Sequence, residues 1–191
     1  MNENEKPADG GENGGNAGSG AGEAPPTLPA AANIEAAEAE KPAAPAGAVP
    51  GFDRDQAQAL LESVFAPWVK DLQLGVETVF QPGDPGGAGA LLRLKYSDRL
   101  CREGGIVCGQ ALMALADTAM VFAVSAASGR YRPMTTVDQT THFLKPAPAS
   151  DLLAEARIVR MGKSMAFGQV LLRGAFDPKP VTMVSSAYAL L

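Results

Sequence analysis

One histidine and two cysteines are all that 191 residues offer of the softer metal ligands, and that scarcity closes several routes at once. Zinc sites draw on clusters of Cys and His at short spacings, and Cys101, Cys108 and His142 form no such set. No metal is expected, and no motif calls for another cofactor. Cysteines in neither a CxxC nor a disulfide-rich pattern suit a reducing, cytoplasmic setting. Cations are also few: 16 Lys and Arg against 21 Asp and Glu leave a formal net charge of −5. Nucleic-acid binding, which needs a basic face, is not expected. A membrane partner and export are not expected either. The chain opens on acidic and glycine residues rather than a basic, apolar leader, and its longest apolar stretch carries Asp117 inside it.

Large apolar side chains are nearly missing from a whole quarter of the chain. Residues 1–51 are Ala, Gly, Pro, Glu and Asn for the most part. Such a segment buries too little surface to offset the entropy of ordering, so a disordered low-complexity tail is expected there. Residues 52–191 are rich in Leu, Val, Ala, Met and Phe, enough for one packed domain.

Within that domain Asp53 and Gln56 have capping-box spacing, and Ala57, Leu60, Leu61, Val64, Phe65 and Trp68 recur at helical intervals. The pattern predicts an amphipathic helix that Pro67 distorts or ends. Leu72, Leu74, Val76, Thr78 and Phe80 then alternate as a strand. A Gly- and Pro-dense turn from Gln81 to Gly89 leads to a second strand over 90–96. From about Gly109 to Ala127 the chain is apolar on nearly every side, which predicts a long helix buried all round. Four alternating segments follow, 134–144, 152–160, 165–176 and 181–190, joined by connections too short for crossover helices. The sum is an α+β domain in which an antiparallel sheet wraps the second helix.

Asp117 is the one charged residue between Glu103 and Arg130. Burying a carboxylate costs free energy unless it is hydrogen-bonded, and desolvation raises its pKa, the usual way of tuning a base or nucleophile. Spacing alone leaves a second reading open, an acid that satisfies the scaffold. Gly104, Gly105 and Gly109 precede or open the same helix, and no Ser, Thr, Asp or Asn stands there to cap it. Its first amides are thus open to water or to a polarised carbonyl. Gly109 and Asp117 are about 12 Å apart along the axis at roughly 1.5 Å per residue. One small reacting centre could not easily meet both in one copy, so a site shared between two copies is expected.

The segment Cys108-Gly109-Gln110-Ala111-Leu112-Met113-Ala114-Leu115-Ala116-Asp117 resembles the active-site helix of the PaaI-type hotdog acyl-CoA thioesterases, whose pattern is His-Gly-Gly, an apolar stretch, then Asp. Thr136-Val137-Asp138 with Phe143-Leu144-Lys145-Pro146-Ala147 is similar to the family's next strand, and the hairpin from Arg160 to Phe167 fits as well. The likeness covers about Phe52 to Leu191. It implies a hotdog fold assembled as homodimers or homotetramers that bind acyl-CoA and hydrolyse its thioester without a cofactor. It also implies Asp117 as nucleophile or general base, the Gly109 amide as oxyanion donor across a dimer interface, and Thr136 as a hydroxyl that positions water. The sequence departs from the pattern where Cys108 replaces His and Gln110 replaces the second Gly. The family's upstream Asn or Gln falls near Arg102, so Gln110 is the residue available to supply an amide. These departures motivate an alternative, a non-catalytic acyl-CoA-binding hotdog protein. A hydratase is the weaker third choice, because its chemistry pairs Asp with a His that this helix lacks.

Cys108 at the head of the helix could serve as a nucleophile, but a small half-polar filler against the substrate is the better reading. Arg160 and Lys163 flank a turn where they would meet the phosphates of CoA, or simply water. Met113 and Met120, seven positions apart, are ordinary packing residues. His142 is read as a strand residue near a subunit interface.

Overall fold

The computed structural model describes residues 51–191. The tail expected over 1–51 lies, apart from Gly51, outside the described residues. Helix α1 (Arg54–Ser63) begins as its sequence dictates: the Asp53 carboxylate accepts from the Gln56 amide at 2.8 Å, and the Gln56 side chain accepts from the Asp53 amide at 3.1 Å. Ala57, Leu60 and Leu61 are its buried face. Pro67 corrects the expectation. The helix has already ended at Ser63, and Pro67 instead opens a second short helix, α2 (Pro67–Lys70), where its missing N–H costs nothing.

Strands β1 (Gly75–Phe80) and β2 (Gly89–Leu94) form the expected hairpin. A 3-10 turn (Asp98–Leu100) follows, then a small hairpin of β3 (Cys101–Arg102) and β4 (Ile106–Val107). This hairpin corrects the reading of the glycines. Gly104 and Gly105 take φ of 86° and 71° in its turn, a conformation that other residues rarely adopt, and only Gly109 belongs to the helix.

Helix α3 (Gly109–Ser128) runs 20 residues and stops at Gly129, whose φ of 69° makes the left-handed cap. Four long strands complete the chain: β5 (Met134–Phe143), β6 (Leu152–Met161), β7 (Met165–Gly174) and β8 (Pro180–Leu190). The six-stranded sheet is antiparallel in the order β1-β2-β6-β7-β8-β5, and α3 packs on it. This is the hotdog arrangement. Alternation on β7 and β8 explains it: Ala166, Val170, Leu172, Val184 and Tyr188 point inward, while Phe167, Gln169, Met183 and Ser185 point out. Alanines 111, 116, 119, 123 and 126 of α3 are buried and let the sheet approach the helix closely.

Two features depart from the patterning. Helix α3 is not buried all round, because Gln110 and Met113 are exposed and Ala114, Asp117 and Val121 are partly so, a single stripe along one side. Strand β5 lies at the sheet edge and is largely exposed in a single chain, with Val137 at 59% and Phe143 at 54%. Helix α3 also has the length and mean hydropathy, 1.6, of a membrane span, yet 72% of that stretch is buried inside the fold. That burial marks it as the core helix of the sheet.

Candidate functional site

The partly uncovered stripe of α3 and the inner face of β5 run antiparallel to one another, and three contacts fix their register. The Thr136 hydroxyl donates to Oδ1 of Asp117 at 2.9 Å. Gln139 Nε2 donates to the Met113 carbonyl at 3.3 Å. The ring of Phe143 lies over Gly109 so closely that a Cβ on the glycine would sit 3.0 Å from Phe143 Cζ. Helix positions 109, 113 and 117, one turn apart, thus face strand positions 143, 139 and 136. A bulge between Thr136 and Asp138 keeps Thr136 on the inner face with Gln139.

Asp117 is half-buried rather than enclosed. Tyr188 is its second neighbour and was not legible as such in the sequence. The phenol hydroxyl donates to Asp117 Oδ1 in a short contact, and it also lies 3.0 Å from the Asp117 carbonyl oxygen. Tyr188 is 1% exposed. Burial first, then the charge of Asp117, holds its phenol well above the ordinary tyrosine range, so it stays protonated and serves as a neutral donor. Both donors converge on Oδ1. Among the described residues no hydrogen bond engages Oδ2.

At the other end of the stripe, the α3 N-terminus has no side-chain cap. The Cys108 amide is occupied by the Leu100 carbonyl at 2.8 Å, and the amides that follow it are the open ones. They border a cleft of about 510 Å³ whose walls include Gly109, Leu112, Phe143, Val107, Arg102 and Lys145. Lys145 is committed to Asp177 at 2.8 Å, and this pair holds the Asp177 carboxyl below its usual range. Apart from Arg102 and Lys145 the walls are apolar around open backbone donors, an arrangement that can polarise a carbonyl. Between the two ends, Gln139 Oε1, Thr141 Oγ1 and Ser186 Oγ are buried without a hydrogen-bond partner among the described residues.

The other expected residues fall into place unevenly. Thr136 sits against Asp117. Gln110 is exposed at the second helical position and Cys108 is the half-buried N-cap. Arg160 and Lys163 are exposed at the β6–β7 hairpin and neither lines the cleft at Gly109. His142 faces the outer side of the sheet opposite Met183. Among the described residues no cluster of His, Cys, Asp and Glu could hold a metal ion.

Residues 104–175 match the thioesterase superfamily. That segment runs from the β3–β4 turn to just beyond β7, so it contains Gly109, Asp117 and Thr136 but not Tyr188. No curated protein matches the sequence. Among solved structures, one described as a putative thioesterase from a Silicibacter species is 29% identical, covers 73% of this chain and 92% of its own, and has a TM-score of 0.62. The PaaI protein of the Escherichia coli phenylacetic acid degradation operon is 20% identical over 72% of this chain and 91% of its own, with a TM-score of 0.60. Zebrafish thioesterase superfamily member 2 is 18% identical over 72% of this chain and 95% of its own, also at 0.60. The last two likenesses establish the fold alone.

Proposed function

We propose that this hotdog protein, whose residues 104–175 match the thioesterase superfamily, hydrolyses an acyl-CoA thioester to the free acid and CoA. The observation that carries the reading is the convergence of Thr136 and Tyr188 on one oxygen of Asp117. Two neutral donors lock the carboxylate's rotation and leave Oδ2 to act. In the proposed reaction Oδ2 attacks the thioester carbon or takes a proton from an attacking water. In either route the C–S bond breaks and CoA leaves as the thiol with a proton that comes from water; where Oδ2 itself attacks, the mixed anhydride it forms with the acyl group is then hydrolysed by water, which frees the acid and restores the carboxylate.

The charge that develops on the carbonyl oxygen needs a donor, and in this reading the amide of Gly109, which has no side-chain cap, supplies it. About two helical turns separate that amide from Asp117 in one copy. The proposal therefore takes Gly109 from one copy and Asp117 from its neighbour, joined along the exposed stripe of α3 and strand β5 in a homodimer or a larger assembly.

Release of free thiol from a panel of acyl-CoAs, aromatic and medium-chain included, tests the reading. Turnover of at least one class supports it. Binding of acyl-CoA, seen as protection against thermal unfolding, with no thiol from any member would replace it with the binding-protein alternative that Cys108 and Gln110 suggest.

A further inference from the structure

A second cleft lies apart from the one at Gly109. It measures about 560 Å³ and lies between α2 and the turn after β2. Trp68, the only tryptophan of the chain, opens onto it at 60% exposure, although so large an apolar side chain is ordinarily well covered. Lys70, Lys95 and Arg99 line the same cleft with Tyr96, against one lining carboxylate, Asp71.

None of these cations is engaged in an ion pair among the described residues; the Lys70 ammonium instead donates to the Glu62 carbonyl at 2.7 Å. Nor does a cation cover the indole. The cation–π contact among the described residues is Arg157 over Phe80. An open aromatic face beside cations without a carboxylate partner, in an acidic protein, fits a ligand that carries a flat ring and phosphates. The volume is within the range of small-ligand sites.

We propose that this cleft binds an adenine nucleotide, with the base stacked on Trp68 and its phosphates held by Lys95, Arg99 and Lys70. The place of the cleft favours the nucleotide end of the CoA thioester as the source. Leu100 lines this cleft, and its carbonyl holds the Cys108 amide that immediately precedes Gly109. The cleft at Gly109 is lined by Arg102, Ile106 and Val107, the β3–β4 hairpin that follows Leu100 directly. A CoA thioester reaching from one cleft to the other would lay its pantetheine arm along that hairpin. This assignment of the source rests on the proposed hydrolysis; the nucleotide site itself does not.

The single tryptophan supplies the readout. Titration of the full chain with CoA, adenosine 3′,5′-bisphosphate and ADP, followed by Trp68 fluorescence, is expected to show saturable quenching that weakens as salt is added. Quenching by CoA and by the 3′,5′-bisphosphate identifies the substrate's own nucleotide. Quenching by ADP without CoA keeps the nucleotide site and assigns it to a free ligand. The double variant Lys95→Ala with Arg99→Ala should raise the half-saturating concentration about tenfold, while Asp117→Asn should leave it unchanged. Absence of saturable quenching by all three ligands, or a half-saturation indifferent to removal of both cations, would overturn the proposal. Quenching that persists in a protein releasing no thiol would reject the hydrolysis and leave the site standing.

Discussion

Thr136 donates its hydroxyl to Oδ1 of Asp117 from a strand 19 residues further along the chain, at 2.9 Å. The contact couples the sheet edge to the core helix. With Tyr188 it turns a half-buried acid into an oriented one, since both donors hold the same oxygen.

Removing these donors separately should divide orientation from folding. Tyr188→Phe keeps the buried ring and deletes the hydroxyl, so about 1–2 kcal/mol of stability and roughly tenfold in kcat are expected to be lost. Thr136→Ala, at an exposed site, should cost less than about 1 kcal/mol while lowering kcat similarly. Thermal unfolding and steady-state kinetics on both variants and the double variant check this. Coupling between them beyond about 0.5 kcal/mol is expected, because they share one acceptor.

Gly109 offers a steric test. A methyl group there meets Phe143 Cζ at 3.0 Å, so in Gly109→Ala the ring must give way by a few tenths of an ångström beside the helix N-terminus. We expect kcat/KM to fall by about tenfold. Phe143→Ala in the same chain should restore the space, and the paired variants measured as a cycle will show a non-additive result if the ring is the cause.

Asp151 predicts an acid-side loss of stability. Its carboxylate accepts from the Tyr96 amide at 2.9 Å and from Arg93 at 3.2 Å, and these hold it below the usual aspartate range, the Tyr96 amide first. A depressed folded-state pKa means that the stabilisation is complete above the unfolded value, about 3.9, and fades as pH falls through the folded one. Asp151→Asn should therefore cost about 1 kcal/mol at neutral pH. The gap between variant and wild type should close below about pH 4 in urea unfolding.

Gly89 tests the sheet. A Cβ at this position would lie 2.2 Å from the Ala156 carbonyl oxygen on the neighbouring strand, a backbone atom that has nowhere to go. Gly89→Ala is expected to destabilise the domain by about 1–3 kcal/mol, seen as a lower urea midpoint at unchanged slope.

Much of this molecule is legible in its sequence, for local reasons. The capping box at Asp53 and Gln56, the alternation on β7 and β8 and the apolar run of α3 are periodic signals that tertiary packing reinforces. Asp117 stood out because charge is rare in such a run. Tyr188 did not, since its partner lies 71 residues away and only strand register shows that its hydroxyl meets Asp117. Composition likewise overstated the burial of α3: Met113 is apolar, yet it falls on the one stripe that a single copy leaves open. The β3–β4 turn was missed because Gly104 and Gly105 look the same in a helix preamble and in a hairpin.

Thiol release from the acyl-CoA panel by Asp117→Asn, set beside wild type on its best substrate, probes the account at its centre. The isosteric amide retains the fold and an oxygen that Thr136 and Tyr188 can hold, but it removes the charge. A fall in kcat of at least about 10²-fold is expected, with the unfolding midpoint little changed. Turnover equal to wild type would take Asp117 out of the chemistry.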